Sequence, residues 1–188
     1  LIKDNFNFKK IFMFEPQKNI FKKVKLKYKK LKKINIYNCA ISNVNSTKNI
    51  FINKHDLTSS LSKIDKDNNY LRFKAKLFSS NSINMIIESY KIKTLSLKKF
   101  ISNKKIKRIN LLKIDTEGHE LQVLEGLDKS IKKVQYILIE FHRDKIYLNY
   151  QPKKIHSYLI KNDFVLKDII KFPFTTWEDR FYLNKNYK

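Results

Sequence analysis

The sequence predicts an α/β fold built on a mostly parallel sheet with helices packed against it. The early part of the chain has a strand-helix-strand pattern, and such a unit implies parallel strands. A further apolar run (Leu111, Leu112 and Ile114) is expected to be a buried strand, and it leads into the acidic sequence Asp115-Thr116-Glu117-Gly118 and then into leucines at helical spacing. A third run, Val134–Phe141, is almost entirely apolar, as expected of a buried strand. Ligands bind at strand-to-helix corners in open α/β sheets, so Ile109–Gly126 is the candidate site region.

The first predicted unit is a strand, a helix and a second strand. Lys10–Phe14 is a short apolar strand that ends at Glu15-Pro16, because proline cannot donate a ladder hydrogen bond. Gln17–Lys33 is expected to be a helix, since its apolar residues recur at spacings of three and four and lysines cover its other faces. Ile34–Ser42 is then a second strand, parallel to the first.

The rest of the chain continues the alternation of strands and helices. Further strands are predicted at Ser46–Ile52 (or an edge hairpin), Met85–Lys93, Phe164–Ile170 and Phe181–Leu183, and helices at Ser96–Ile101 and Lys153–Lys161. The polar stretch His55–Asn84 is expected to be loop. We expect residues 1–188 to form a single domain, with residues 53–84 as a loop-rich insertion beside the substrate, because loops at strand ends usually select it.

The strong positive charge has a plain explanation. Lysine and arginine number 41 against 17 aspartates and glutamates, a formal net charge of +24. Such a charge can indicate binding to nucleic acid or to an anionic membrane. However, only four of these cations are arginines, and base readout and bidentate phosphate contacts favour arginine. Lysines spread over solvated faces, beside many Asn, Ile, Phe and Tyr residues, indicate A/T-rich codons. We therefore expect no specific nucleic-acid partner.

Apolar runs and cysteine content bear on the cellular setting. The longest strongly apolar run, around Tyr136–Phe141, is far too short to cross a bilayer, so we expect no transmembrane segment. The single cysteine, Cys39, cannot form an internal disulfide, which fits a reducing cytoplasm. The sequence leaves the oligomeric state open.

Ionisable side chains gather at the ends of two predicted strands. Asp115 and Glu117 follow the central strand, while Glu140 and His142 stand two residues apart at the end of the next and share one side of it. If the two strands are neighbours, Asp115 and His142 face a common cleft. These groups are also hard ligands that suit Mg²⁺, but their spacing matches no dedicated metal motif. We therefore expect no metal site.

Two other residues of this corner have simpler explanations. Glu120 falls in the first helical turn, where the helix dipole favours a negative charge. His119 also falls there, and a lone histidine in that position is expected to be exposed and without a role.

Four segments in the same order resemble the FkbM-type S-adenosylmethionine-dependent methyltransferases. They are FMFEPQKNIF, INIYNCAIS, YKIKTLSLKKFI, and LLKIDTEGHELQVLEG followed by VQYILIEFH, and together they extend from Ile11 to His142. The resemblance implies a Rossmann-like class I methyltransferase sheet, mostly parallel with an antiparallel closing strand. It also implies S-adenosylmethionine as the cofactor and O-methylation of a hydroxyl on a sugar, glycolipid or secondary metabolite.

The resemblance assigns roles to individual residues. Glu15, beside Pro16, is similar to the acidic residue that accepts both ribose hydroxyls of the cofactor; capping of the next helix is the less favoured alternative. Ala40 and Ile41 are similar in place to residues lining the adenine pocket, or else belong to the core at a strand end.

At the central corner, the resemblance puts Asp115 near the methionine part of the cofactor and near the substrate. Removing a proton from a hydroxyl acceptor calls for a base. His142 is the best candidate because histidine titrates near neutral pH, with Asp115 or Glu117 as alternatives.

One feature of the family is missing. The family has a strand and a glycine-rich turn, resembling Val-x-Asp-x-Gly-Ala-Asn-x-Gly, before the Glu15-Pro16 corner, whereas the only glycines here are Gly118 and Gly126. We therefore expect an amino-terminally truncated chain that lacks the first strand, with a gap in the middle of the sheet and Leu1–Phe8 as the tail of the first helix. The alternative function is that of an inactive remnant or a basic polyanion-binding module.

Overall fold

The computed structural model describes residues 9–53, 59–65, 86–143, 146–173 and 175–187 of the chain. Within these ranges it has a mixed α/β fold. The strands are β1 (Ile11–Phe14), β2 (Ile34–Tyr37), β3 (Ala40–Ile41), β4 (Ser46–Asn53), β5 (Ile86–Leu95), β6 (Ile109–Ile114), β7 (Val134–His142), β8 (Phe164–Lys171) and β9 (Trp177–Asn184). The helices are α1 (Lys18–Lys27), α2 (Leu97–Asn103), α3 (Glu120–Glu125), a 3-10 helix (Asp128–Lys133) and α4 (Pro152–Lys161). None of these helices is long and apolar enough to span a bilayer.

Two sequence predictions concern residues that lie outside the described ranges. They are the helix tail at Leu1–Phe8 and most of the loop at His55–Asn84, of which only residues 59–65 are described.

The strands form three sheets, in the orders β1-β2, β3-β5-β4 and β6-β7-β9-β8. Parallel pairing joins β1 to β2, β3 to β5 and β6 to β7. Antiparallel pairing joins β4 to β5, and β9 to both β7 and β8, so β9 is the predicted antiparallel closing strand. The prediction of a mostly parallel sheet is corrected for the described residues. Because β4 folds back along β5, the antiparallel pairings equal the parallel ones in number.

One predicted strand, Ile34–Ser42, divides into β2 and β3, which belong to different sheets. The break occurs at Asn38, whose side-chain amide donates hydrogen bonds to the carbonyl oxygens of Glu15 at 2.9 Å and Pro16 at 3.0 Å. This amide ties the end of β2 to the end of β1, and the chain then bends towards β5.

Two predicted elements differ from the observed ones by more than two residues at one end. Helix α1 ends at Lys27 rather than Lys33, and a turn follows in which the Leu31 N–H donates to the Tyr28 carbonyl oxygen at 2.9 Å. The strand predicted at Phe181–Leu183 begins earlier, at Trp177, which pairs with His142 of β7.

The main core lies between the four-stranded sheet and helices α2, α3 and α4. It consists of buried apolar side chains, among them Ile114, Ile137 and Ile139 from the sheet and Leu124 and Leu159 from the helices. Burying each such side chain contributes roughly 1.5–3 kcal/mol. The carboxyl ends of β6 and β7 are therefore anchored in well-packed structure, and side chains that follow them are held in defined positions.

Helix α3 ends in close contact with the end of β3. Gly126 follows the helix with a φ of −66°, which any residue can adopt. However, a Cβ atom there would lie 2.2 Å from the carbonyl oxygen of Ser42. Glycine is required at this position because the two backbones approach so closely.

We predict that Gly126→Ala lowers the free energy of unfolding by about 1–3 kcal/mol, because the added methyl group overpacks against the Ser42 backbone. At an unobstructed position of the same conformation, the change would instead stabilise by about 0.4–1 kcal/mol. Urea unfolding followed by circular dichroism measures the sign. Ser102→Ala, at an exposed position of α2, is the control and should stay within about 0.5 kcal/mol of the parent. A Gly126→Ala chain at least as stable as the parent would contradict the close contact.

Candidate active site

Parallel pairing of β6 with β7 brings the two predicted acidic strand ends together. Ile114 pairs with Ile139, so Asp115 and Glu140 follow side by side at the same edge of the sheet. Glu140 Oε2 lies 3.7 Å from His142 Nε2, which in turn lies 3.7 Å from Glu117 Oε2. The condition under which Asp115 and His142 were expected to face a common cleft, that the two strands are neighbours, is therefore met. We call Asp115, Glu117, Glu140 and His142 the corner cluster.

Several carboxyl groups crowd the corner cluster. Burial, together with the nearby carboxyl groups of Asp115 and Glu117, raises the pKa of Glu140 to about 9, and the Lys113 charge opposes this shift. The Lys113 Nζ lies 3.4 Å from Asp115 Oδ2 and 3.0 Å from Asp179 Oδ1. Glu140 is therefore protonated at neutral pH when no metal ion is bound.

Backbone geometry at the corner depends on Glu120. Its side chain is fully buried, and Oε1 accepts hydrogen bonds of 3.1 Å from the Thr116 N–H, the Thr116 hydroxyl and the Gly118 N–H. These bonds hold a turn in which Glu117 and Gly118 both have positive φ, +55° and +90°. The helix dipole explains why a negative charge is favourable at Glu120, but it does not account for the larger role of Glu120 in closing the turn.

Two serines from residues 59–65 donate hydrogen bonds to backbone carbonyl oxygens of the same turn. Ser60 Oγ lies 2.6 Å from the Glu117 carbonyl oxygen and 3.2 Å from that of Thr116, and it donates to them. Ser62 Oγ donates to the Gly118 carbonyl oxygen at 2.8 Å. No local pattern predicts these contacts, because the serines lie more than 50 residues away from the corner in the chain.

Tyr147 and Tyr150 complete the surroundings of the corner cluster. The Tyr147 hydroxyl donates a short hydrogen bond to the Glu117 carboxylate, and its ring lies so close to Gly118 that a Cβ there would be 2.3 Å from it. The Tyr150 hydroxyl accepts from the His142 backbone N–H at 3.0 Å. Both rings stand edge-on to the His142 ring, with centroids 4.9 and 5.6 Å away. Neither tyrosine was predicted from the sequence to lie at this site.

Glu15, the predicted ribose contact, lies in the two-stranded sheet, apart from the sheet that carries the corner cluster. Its Oε1 accepts a 2.7 Å hydrogen bond from the N–H of Gln17, the residue before α1. Burial raises the pKa of Glu15, and this hydrogen bond opposes the shift. This hydrogen bond places the Glu15 carboxylate beside the residue that precedes α1, in line with the capping alternative, and the ribose role stays a prediction.

Ala40 and Ile41, the predicted adenine contacts, form β3 and are buried. Ile41 belongs to the main core, while Ala40 packs with Ile50, Ile52 and Ile92 in a smaller cluster. The alternative of strand-end packing is thus observed for both residues.

His119 was expected to be exposed, and that prediction is wrong. It is only 6% exposed, and its Nε2 lies 3.0 Å from the hydroxyl of Ser42, which also accepts a 2.9 Å hydrogen bond from Lys48 Nζ. Burial lowers the pKa of His119 to about 4, and the Lys48 charge acts in the same direction. A neutral His119 therefore links the start of α3 to the end of β3, away from the corner cluster.

Comparison with known proteins gives consistent results. The family model described as "Methyltransferase FkbM domain" matches residues 2–166. A solved structure of the methyltransferase FkbM from Methylobacillus flagellatus KT shares the fold, with a TM-score of 0.50 and 16% identity over 94% of this chain. The hexuronic acid methyltransferase AglP of Haloferax volcanii is 35% identical over 54 residues, or 29% of this chain. The chain spans 37% of the solved structure and 23% of AglP. On the match over residues 2–166, the chain belongs to the FkbM methyltransferase domain family.

Proposed function

We propose that the chain acts as an S-adenosylmethionine-dependent methyltransferase on a hydroxyl group of a sugar, glycolipid or secondary metabolite. Family membership supports methyl transfer, and AglP, whose name states a hexuronic acid substrate, supports a sugar acceptor. The observation that carries the proposal is the corner cluster, in which Asp115, Glu117 and His142 meet at the ends of neighbouring strands. A cytoplasmic setting stays a prediction.

We propose that residues 1–188 form one Rossmann-like domain, in which the β1-β2 and β6-β7-β9-β8 sheets are two parts of one sheet. Among the described residues, β1 and β6 each pair with a strand on one side only. This is consistent with a place between them for the first strand of the family's sheet. Leu111 of β6 is 53% exposed, and a strand at that edge would help to cover it. The segment 59–65, bonded to the corner, supports a substrate-side location for the 53–84 insertion.

When bound, S-adenosylmethionine would supply a methyl group to an acceptor oxygen, with the electron pair of the broken carbon–sulfur bond left on sulfur. The hydroxyl proton would pass to a base of this chain. The main requirement on the chain would be to align oxygen, carbon and sulfur. We propose that the corner cluster removes the proton, with His142 as the first candidate and Asp115 or Glu117 as alternatives.

For the cofactor, we propose that Glu15 accepts the ribose hydroxyls at the end of β1, where Pro16 ends the strand. Ala40 and Ile41 border the adenine, and Asp115 lies near the methionine part. A carboxylate suits a vicinal diol because its two oxygens can each accept a hydrogen bond.

The charge of the corner cluster favours a neutral nucleophile. Without a bound cation, the carboxylates of Asp115 and Glu117 near the reaction centre disfavour binding of an acceptor carboxylate, since like charges repel strongly where burial limits solvent screening. A hexuronic acid offers both hydroxyls and a carboxylate. We therefore expect the product to be a methyl ether, which resists mild alkaline hydrolysis, rather than a methyl ester, which does not.

We predict that His142→Ala and Asp115→Asn each reduce the rate of methyl transfer by about 10²–10⁴-fold, because each removes a group that acts on the acceptor hydroxyl. Transfer of tritiated methyl from S-adenosylmethionine to a panel of hexuronic acids and neutral sugars measures the rate. His156→Ala and Asp168→Asn, which lie outside the corner cluster, are the matched controls. Full activity in either site variant would remove that residue from the mechanism.

We predict that Glu15→Gln weakens S-adenosylmethionine binding by about tenfold or more, since the amide loses one acceptor oxygen and the charge. Isothermal titration calorimetry measures the affinity, with Glu125→Gln, an exposed residue of α3, as the control. Equal affinity in Glu15→Gln and the parent would exclude the ribose contact. Salt-sensitive binding of polyanions with no affinity for the cofactor would instead support the inactive remnant or polyanion-binding module.

A further inference from the structure

Three side chains of the corner cluster have the spacing of metal ligands. One donor atom each from Glu117, Glu140 and His142 lies within 4.8 Å of the other two. The two contacts made by His142 Nε2, to Glu117 Oε2 and to Glu140 Oε2, are both 3.7 Å. Donors that share one divalent cation lie roughly 3–4.5 Å apart, because each is bound at about 2.0–2.4 Å. A cation therefore fits among these atoms with only small side-chain movements.

Glu140 gives an independent sign that a ligand is needed here. The residue is 8% exposed, and its Oε2 is shielded from solvent without a hydrogen-bond partner among the described residues. A buried carboxyl oxygen without a partner is costly, and such atoms in native structures call for an explanation such as an ion. Because this oxygen is directed at His142 Nε2, it points into the space between the three donors.

Two neighbouring tyrosines contact two of these three donor residues and help to orient them. The Tyr147 hydroxyl donates to the Glu117 carboxylate, and the rings of Tyr147 and Tyr150 each contact the His142 ring. Hydrogen-bonded carboxylates and oriented imidazoles are typical of metal sites, where outer partners aim the ligands. A rigid set of donors lowers the cost of binding an ion.

The local charge balance also favours a cation. Lys113 Nζ pairs with Asp115 and Asp179. The carboxyl groups of Glu117 and Glu140 both lie 3.7 Å from His142 Nε2, so two acidic groups meet at one imidazole. A divalent ion would neutralise both carboxylates.

We propose that Glu117, Glu140 and His142 bind a divalent cation of the Mn²⁺ or Zn²⁺ class at the ends of β6 and β7. Two carboxylates and one imidazole, without thiolates, suit these ions better than soft metals. This site replaces our expectation of no metal, which rested on sequence spacing alone. A bound cation would also lower the pKa of an acceptor hydroxyl that contacts it. That second role rests on the proposed function and makes His142 a ligand rather than the base, whereas cation binding itself does not depend on methyl transfer.

The test is a titration of the 188-residue chain with Mn²⁺ after dialysis against a chelator. Electron paramagnetic resonance measures the free ion, and we expect one Mn²⁺ bound per chain. Glu140→Gln and His142→Gln should each weaken binding by at least tenfold. Glu125→Gln, which makes the same chemical change as Glu140→Gln at an exposed position of α3, should leave binding unchanged. Thermal unfolding of the metal-free variants checks that they fold. Anomalous scattering from Mn²⁺-soaked crystals of the parent chain locates the ion without any variant.

An ion located between Glu117, Glu140 and His142, with affinity lost in both ligand variants, supports the proposal. Absence of a stoichiometric site, an anomalous peak elsewhere, or variants that bind as well as the parent would overturn it. Methyl transfer that is undiminished in chelator, with no Mn²⁺ bound, would overturn the metal site and leave the proposed function intact. Mn²⁺ binding without methyl transfer or cofactor affinity would support the metal site and contradict the proposed function.

Discussion

The arrangement of this protein's candidate site depends on one buried carboxyl group, that of Glu120. It sits inside the turn between β6 and α3 and accepts three hydrogen bonds from Thr116 and Gly118. Such a turn has no regular ladder to satisfy its N–H groups, and leaving them unpaired in the interior would cost about 1–3 kcal/mol each. Because Glu120 is the first residue of α3, the same contact fixes where the helix starts relative to the strand.

The closed turn then determines where the ionisable groups point. With Glu117 and Gly118 at positive φ, the chain reverses tightly, and the Glu117 carboxylate comes within reach of His142 on the neighbouring strand. Positive φ is unfavourable for a residue with a side chain, and strain of this kind persists only when the surroundings over-determine it. Here Ser60 and the Tyr147 ring supply that support. Both the acid–base and the metal proposals rely on this local geometry.

Much of the fold could be predicted because its strands and helices have clear apolar patterns. The strand-corner-helix unit around Asp115 and the strand Val134–Phe141 are confirmed, and the two strands are neighbours. The errors arose where distant contacts decide local structure. The break after β2 depends on Asn38 reaching the carbonyl groups of Glu15 and Pro16, and no pattern within Ile34–Ser42 reveals it.

The candidate site was predictable in its parts but not in its details. Acidic residues after strands marked the corner, yet the burial of His119 requires Ser42, which comes from another strand. The metal-like spacing of Glu117, Glu140 and His142 is also invisible in sequence, because two strands contribute the donors and only their pairing register brings them together.

The proposed methyl transfer requires that Glu15 and the corner cluster border one crevice that holds the methyl donor. A crystal structure of the chain with S-adenosylhomocysteine would show whether they do. We expect ribose hydroxyls within hydrogen-bond distance of the Glu15 carboxylate and the sulfur facing Asp115. A nucleoside bound away from both carboxylates, or on the opposite edge of the sheets, would contradict this arrangement.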